Sequence, residues 1–220
     1  MANGIPRGAI IYASGMEEKT VSRHFSPDEK GMLLEYVLDS AWTVVDELIV
    51  VFKNEPQLSV IEAISPFGAR IINLGIGENP ISGILSAFKS AKADLCLLTT
   101  ERVPLLKPNV VLALFDGAHG FDLSIPRWKD GKIEPLLAVY SVKALLRLSL
   151  SGTIPVDSNI DLAMTSLADQ LFDVKYISVE DELGQLDPEL DSFLKVNDED
   201  SLALARSKAS IRGSKAKKSD

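Results

Sequence analysis

The stretch GAIIYASG at residues 8–15 decides the fold, because a strand-like apolar run passes directly into small residues. A polar stretch follows, and residues 32–43 then show apolar side chains at helical spacing. A buried strand, a loop and a helix in this order predict the first half of a βαβ unit. The turn at Ala13, Ser14 and Gly15 would let backbone amides approach a phosphate closely, and a plain small-residue turn is the alternative.

The same alternation repeats along the first half of the chain. Apolar runs predict strands at residues 47–52, 69–73 and 94–99, and helices are predicted at residues 57–65, 81–91 and 108–115. Continuous apolar strands that alternate with helices are typical of a parallel sheet covered on both faces. The sequence therefore predicts an α/β protein with a mostly parallel sheet and helices on both of its faces.

The pattern changes after Gly117. Two strand-like runs, residues 123–127 and 132–140, are joined across Lys-Asp-Gly at residues 129–131, which predicts an antiparallel hairpin. Further predicted elements are helices at residues 142–150 and 159–172, a strand at residues 175–179 and a terminal helix capped by Asp198. We expect one domain over residues 1–202 and a basic, disordered tail over residues 203–220.

Composition excludes several classes of function. The formal net charge of -8 disfavours general binding to nucleic acid, which depends on basic side chains that neutralise phosphates. No apolar run approaches the roughly 20 residues that span a bilayer, and the first residues lack the order of a secretory signal, so we expect a cytoplasmic protein without a membrane partner. The single cysteine, Cys96, lies in an apolar run and is predicted to be a core residue rather than part of a disulfide or zinc cluster.

Ligands of open α/β sheets bind at the carboxyl ends of the parallel strands, so the loops after the predicted strands are the candidate sites. The second and third loops offer Asn54 and Asn73, and the latter leads to Asn79-Pro80, which is also ordinary punctuation before a helix. Glu101 and Arg102 follow the fourth strand directly. A carboxylate there could hold magnesium between phosphates, whereas an exposed Glu-Arg pair is the structural alternative.

Three segments together resemble the molybdenum cofactor guanylyltransferase family. NPISGI at residues 79–84 is similar to the family's GPLAGI, and EPLLAVY at residues 134–140 is similar to its QPLxAxY. Residues 193–202, FLKVNDEDSL, resemble its closing FxNxNTPEDL pattern. The resemblance runs from Ile10 to about Leu202 and implies a Rossmann-like nucleotidyltransferase fold, with GTP as substrate, molybdopterin as acceptor and Mg²⁺ as cofactor.

The resemblance also implies site residues, and several differ from the family pattern. Lys19 stands where the family's phosphate-loop arginine falls. Arg102 occupies the place of the family's metal-binding aspartate, with Glu101 one position earlier, and Lys195 replaces the first closing asparagine. The implied catalytic residues are Lys19 and Glu101, with Glu101 as metal ligand. The implied binding residues are Ala13, Ser14, Gly15, Asn54, Asn73, Pro80, Gly83, Glu134, Pro135 and Asn197.

Three functions are consistent with these residues. The first is transfer of a guanylyl group from GTP to molybdopterin, with the acceptor near Arg127, Glu134, Pro135, Lys195 and Asn197. The second is a catalytically degenerate nucleotide-binding or regulatory protein, in which Arg102 supplies a fixed cation in place of the metal. The third is a nucleotidyltransferase with another acceptor or base.

Overall fold

The computed structural model describes residues 5–13, 32–75, 78–151, 159–171 and 173–216, with the side chains of the last helix described as far as residue 210. Seven strands form one sheet in the order β3-β2-β1-β4-β6-β5-β7. Their bounds are β1 Arg7–Ala13, β2 Glu47–Phe52, β3 Arg70–Asn73, β4 Leu95–Thr100, β5 Leu123–Arg127, β6 Ala138–Ser141 and β7 Val174–Ser178. Only β6 runs antiparallel to its neighbours among these strands, so the predicted α/β class is confirmed.

The helices cover both faces of the sheet. Their bounds are α1 Leu33–Trp42, α2 Leu58–Ile64, α3 Pro80–Ser90, α4 Pro108–Gly117, α5 Val142–Leu150, α6 Ile160–Ala168, the single turn α7 Gly184–Leu186 and α8 Glu199–Ala216. Short turns at Ser65–Phe67, Val179–Leu183 and Asp191–Phe193 connect them. None of the helices that the structure describes is both long and apolar enough to cross a bilayer.

Two cores lie on opposite faces of the sheet because successive strand side chains alternate in direction. Ile11 on β1 packs with helices α1 and α4 on one face, and its neighbours Ile10 and Tyr12 pack with α3, α5 and α6 on the other. Cys96 is fully buried in the second core, as predicted, and burial raises the pKa of its thiol to about 12. An unreactive core thiol follows from that environment.

The predicted hairpin is antiparallel, but its second strand is shorter than the sequence indicated. β6 begins only at Ala138, and residues 132–137 contact β5 through a single bridge between Arg127 and Ile133. The cause is local: Pro135 has no N–H to donate, and the amide of Leu137 turns back to the carbonyl of Glu134 at 3.0 Å. β6 then pairs with β4 as well as β5, so it lies between them rather than at an edge.

The end of the chain differs from the expected disorder after residue 202, because α8 continues to Ala216. Asp198 begins this helix as predicted, since its carboxylate accepts the amide of Ser201 at 2.8 Å. Leu202 and Ala205 are buried with Leu33 in a small third core. The predicted boundary at residue 202 therefore falls inside a helix that packing holds against the domain.

Candidate functional site

The carboxyl edge of the sheet, where the parallel strands end, places Glu101 and Arg102 directly after β4. Glu101 is fully buried, with 0% of its surface exposed, so the alternative of an exposed Glu-Arg pair is wrong. Both residues act on Tyr12 in the neighbouring strand β1. Burial and then the charge of Glu101 raise the pKa of the Tyr12 phenol to about 12, and the charge of Arg102 opposes this rise. The charges of Glu101 and Arg102 therefore lie close to Tyr12, near the carboxyl end of β1.

Arg102 turns towards the last part of the chain. Its Nη1 donates to Oδ1 of Asn197 at 3.1 Å, and its Nη2 forms an ion pair with Oδ2 of Asp161 at 3.4 Å. The carbonyl of Arg102 accepts the amide of Val196 at 2.7 Å. That backbone bond fixes the closing segment beside Arg102, and only 14% of the arginine side chain remains exposed.

Lys195 extends this arrangement to Glu134. Its Nζ lies 2.7 Å from Oε2 of Glu134 and 3.6 Å from Oδ1 of Asp161. Glu134 also accepts the indole N–H of Trp128 at 2.9 Å and pairs with Lys132 at 2.9 Å, and its side chain is 4% exposed. Burial alone would raise the pKa of the Glu134 carboxyl, but the hydrogen bonds from Lys195, Lys132 and Trp128 and the charge of Lys195 lower it.

We call these five charged residues, Arg102, Lys132, Glu134, Asp161 and Lys195, the mouth cluster. Three cations face two carboxylates in a partly buried place at the carboxyl edge of the sheet. The imbalance leaves a net positive charge where solvent screening is reduced. Such a surface attracts an anion, and a phosphorylated small molecule suits the position that open α/β sheets use for ligands.

A second set of contacts fixes the backbone behind the mouth cluster. Asp187 is buried, pairs with Lys107 at 2.5 Å and accepts the amide of Ser192 at 2.7 Å. Burial would raise the pKa of the Asp187 carboxyl, but the bonds from Lys107 and Ser192 lower it. The ring of Phe193 meets Trp128 edge-on, with centroids 5.4 Å apart. The segment that carries Lys195 and Asn197 is therefore anchored from both sides.

The structure gathers some of the predicted site residues and separates others. Glu134 pairs with Lys195, and Asn197 accepts a hydrogen bond from Arg102. Arg127 instead lies over the ring of Tyr176, 5.0 Å from its centroid, and makes no contact with the mouth cluster among those that the structure describes. Pro135 is buried and its carbonyl accepts the hydroxyl of Tyr140 at 2.8 Å. This hydrogen bond stabilises the turn that follows Glu134.

The other half of the same edge carries the residues predicted to contact the nucleotide. Ala13 ends β1 and its carbonyl accepts the amide of Lys53 at 3.2 Å, while Asn54 and Asn73 are exposed just after β2 and at the end of β3. Ser14, Gly15 and Lys19 lie outside the described residues.

The third loop leads into α3 through a common type of helix N-terminus, a capping asparagine followed by a proline. Asn79 caps the helix by accepting the amide of Ile81 at 2.9 Å, and Pro80 is its first residue, so the predicted punctuation is confirmed. Gly83 is buried on the side of α3 that faces the sheet. A Cβ there would come within 2.2 Å of Leu74 and 3.1 Å of Val51, so close packing explains the glycine.

Sequence reasoning missed Asp161 as a member of the site. The residue lies in the first turn of α6, where a carboxylate suits the helix dipole, and Asn159 caps this helix with bonds to the amides of Asp161 and Leu162. The cap was readable from the sequence. No spacing links the start of α6 to Arg102, however, because their contact joins elements 59 residues apart.

A metal site does not follow from the described residues. Across residues 5–13, 32–75, 78–151, 159–171 and 173–216, no group of three or more His, Cys, Asp or Glu side chains is placed to hold a metal ion. Asp161, the carboxylate that pairs with Arg102, is already shared by two cations. Magnesium prefers several oxygen ligands and would meet the positive charges of Arg102 and Lys195 here, so this donor set does not fit it.

Known proteins resemble this chain over most of its length. A probable molybdenum cofactor guanylyltransferase of Methanosarcina mazei is 28% identical over 198 residues, which cover 87% of this chain and 86% of that protein. A counterpart from Methanosarcina acetivorans is 27% identical, with coverage of 87% and 86%. The crystal structure of molybdopterin-guanine dinucleotide biosynthesis protein A from Archaeoglobus fulgidus is 26% identical, covers 94% of this chain and 99% of its own, and has a TM-score of 0.66.

A more distant structure supports the architecture alone. The 4-diphosphocytidyl-2C-methyl-D-erythritol synthase of Anaerococcus prevotii shares 13% identity, with a TM-score of 0.67 and coverage of 93% and 96%. The family model of the MobA-like NTP transferase domain matches residues 17–155, which is more than half of the chain. On that match the chain belongs to the MobA-like NTP transferase family, and its fold is the Rossmann-like nucleotidyltransferase fold.

Proposed function

We propose that this protein transfers a guanylyl group from GTP to molybdopterin. Relatives named as probable molybdenum cofactor guanylyltransferases align with almost nine-tenths of the chain. Membership of the MobA-like NTP transferase family makes nucleotidyl transfer the chemistry to expect. The observation that carries the proposal is the mouth cluster, because Glu134 and Lys195, both expected at the acceptor side, belong to this group with an excess of cations, and Asn197, expected there too, contacts its Arg102. A cytoplasmic location agrees with the use of GTP.

The two halves of the carboxyl edge receive different substrates in this proposal, and Arg102, which follows β4, lies between them. The turn at Ala13, Ser14 and Gly15 and the ammonium of Lys19 hold the triphosphate. Asn54 and Asn73 contact the base or ribose from the ends of β2 and β3. Lys195 and Asn197 hold the phosphate of the acceptor, with Lys195 oriented by its bond to Glu134.

The transfer itself is an in-line displacement. An oxygen of the acceptor phosphate attacks the α-phosphorus of GTP and forms a new P–O bond. The bond between the α-phosphorus and the oxygen that bridges to the β-phosphate breaks, and pyrophosphate leaves. Little acid-base chemistry is required, so positioning of the two substrates and neutralisation of their charge supply most of the catalysis.

Mg²⁺ and the metal role of Glu101 follow only from the resemblance. Because the described donor set does not fit a divalent cation, no step is assigned to one. The fully buried Glu101 instead lies at the end of β4 beside Tyr12, and its charge acts on the phenol in the direction opposite to that of Arg102.

The direct test is an assay of pyrophosphate release from GTP in the presence of molybdopterin, run beside an active guanylyltransferase. We expect release with GTP and much less with CTP or ATP. Lys195→Ala should lower the rate at least tenfold, because an ammonium-phosphate contact is lost. The matched control is Lys129→Ala, whose exposed ammonium pairs with Asp181 at 2.9 Å, and it should keep the rate. Absence of release while the reference enzyme works would reject the proposal.

One observation favours a second candidate, a nucleotide-binding or regulatory protein without catalysis. Arg102 stands where the resemblance places a metal-binding aspartate, and its guanidinium is occupied by Asp161 and Asn197. Calorimetry with GTP followed by product analysis separates the two candidates. Tight binding without any pyrophosphate from the complete mixture would establish the second.

A further inference from the structure

We propose that the guanidinium of Arg102 neutralises phosphate charge at this site in place of a divalent cation, so that GTP binds without one. The inference rests on the proposed function and concerns how the same site holds its nucleotide. It is carried by the contacts of Arg102, by the balance of charge around it and by one unused donor.

The contacts hold the arginine in place. Two hydrogen bonds fix its backbone, since the amide of Arg102 donates to Oγ1 of Thr100 at 3.3 Å and its carbonyl accepts the amide of the distant Val196. Asn197 and Asp161 fix the two terminal nitrogens. Arginine carries a permanent positive charge in proteins, and these contacts fix where that charge lies.

The balance of charge excludes a second cation from the same place. Asp161 faces both Arg102 and Lys195, and Glu134 faces both Lys195 and Lys132. Each carboxylate of the mouth cluster thus already forms ion pairs with two cations. A divalent cation would add repulsion from two fixed positive charges without gaining an uncommitted carboxylate from this cluster.

The arginine has capacity left for an anion. Its Nε is buried and has no hydrogen-bond partner among the residues that the structure describes. An unused buried donor costs free energy, which a phosphate oxygen would recover as a charge-assisted hydrogen bond. Asp161 is 39% exposed, so its carboxylate can give way to a stronger anion at the guanidinium. Asp161 thus takes at the guanidinium the place that a phosphate oxygen takes when GTP binds.

The experiment measures the dissociation constant of GTP by calorimetry, with excess magnesium and with excess chelator. We expect the two values for the unaltered protein to agree within about twofold. Arg102→Ala should weaken binding about tenfold or more in both conditions, because a charged hydrogen-bond donor is lost. Arg102→Lys should recover part of the loss, since it keeps the charge but not the fork of donors.

The control is Arg147→Ala. Arg147 also pairs with a single aspartate, with its Nη2 3.3 Å from Oδ1 of Asp122, but at the opposite edge of the sheet. This variant should bind GTP as the unaltered protein does. Melting temperatures of all variants show whether each is folded.

Each result decides the question. Binding that is lost on chelation overturns the inference and leaves the proposed function intact. Unchanged GTP binding by a folded Arg102→Ala variant would likewise overturn the inference and leave the proposed function intact. Absence of GTP binding in both conditions overturns the inference together with the proposed function. The comparison of magnesium with chelator needs no variant, so it decides even where Arg102→Ala fails to fold.

Discussion

The two edges of the sheet hold their charges in different ways. At the amino edge, where the parallel strands begin, each arginine has its own carboxylate: Arg7 pairs with Asp116, Arg70 with Glu47 and Arg147 with Asp122, at 3.0 to 3.3 Å. At the carboxyl edge, Arg102, Lys195 and Lys132 share Asp161 and Glu134. The first arrangement is a row of separate pairs, and the second is a network.

The difference indicates which edge is built for a ligand. Arg147 is 64% exposed and stands beside a cavity of about 670 Å³ that is lined by Asp122, Asp169 and Asp173 as well. Its acids outnumber its cation, and exposed pairs contribute about 0.2 to 1 kcal/mol. All members of the mouth cluster but Lys132 are clearly less exposed than Arg147, the cluster has an excess of cations, and a main-chain bond to Val196 fixes Arg102. The acidic lining of this cavity therefore disfavours a phosphate there.

The largest expected effect is that of Glu134→Ala. It leaves Lys195, Lys132 and the buried indole N–H of Trp128 without their acceptor, and we expect a loss of about 3 kcal/mol in the free energy of unfolding. Arg147→Ala, which removes one exposed pair, should cost under about 1 kcal/mol. Urea denaturation measures both. Equal losses would contradict the distinction between network and separate pairs.

A smaller effect is expected for Gly83→Ala. The new methyl would lie 2.2 Å from Leu74, so α3 or Leu74 must shift, at a cost of about 1 to 3 kcal/mol in stability. Gly184→Ala is the control, because its Cβ would meet the carbonyl of Val179 at an ordinary 3.4 Å. Thermal unfolding compares the two variants. A stable Gly83→Ala that binds GTP poorly would instead return Gly83 to the ligand site.

Acid should weaken the carboxyl edge. The folded protein holds the pKa of Glu134 below its ordinary 4.5, so the unfolded chain binds a proton more readily. This contribution to stability is complete above that ordinary value and is lost as the pH falls through the lower value of the folded state. Urea midpoints between neutral and strongly acidic pH should show the decline, and Glu134→Ala should flatten it relative to Arg147→Ala. An equal fall in stability with acid in both variants would exclude Glu134 as a source of the pH dependence.

The sequence predicted the parts of the fold that depend on local pattern. The apolar runs at β1, β2 and β4, the Asn79 cap and the Asp198 cap were all readable, because each needs only neighbours in sequence. The start of β6 was set by the local turn from Glu134 to Leu137, which an apolar pattern does not reveal, and the extension of α8 depended on packing against the distant Leu33. The basic composition suggested disorder after residue 202. In the structure this segment is helical, and Ala205 packs in the third core.

The site divides in the same way. Glu134, Lys195 and Asn197 could be assigned through the resemblance, since motif positions carry over without knowledge of contacts. Asp161 could not, because it enters the site through the placement of α6 against Arg102. Arg127 was assigned to the acceptor pocket from its place in the chain, but its guanidinium rests on Tyr176 of the neighbouring strand. Side-chain direction at the end of a strand is set by such neighbours.

The most direct test of the account is a crystal structure of the protein with a non-hydrolysable GTP analogue. We expect the phosphates at the carboxyl edge, with an oxygen within hydrogen-bond distance of the Arg102 guanidinium and Asp161 displaced from it. Nucleotide bound at the amino edge, in the cavity beside Arg147, would contradict the account.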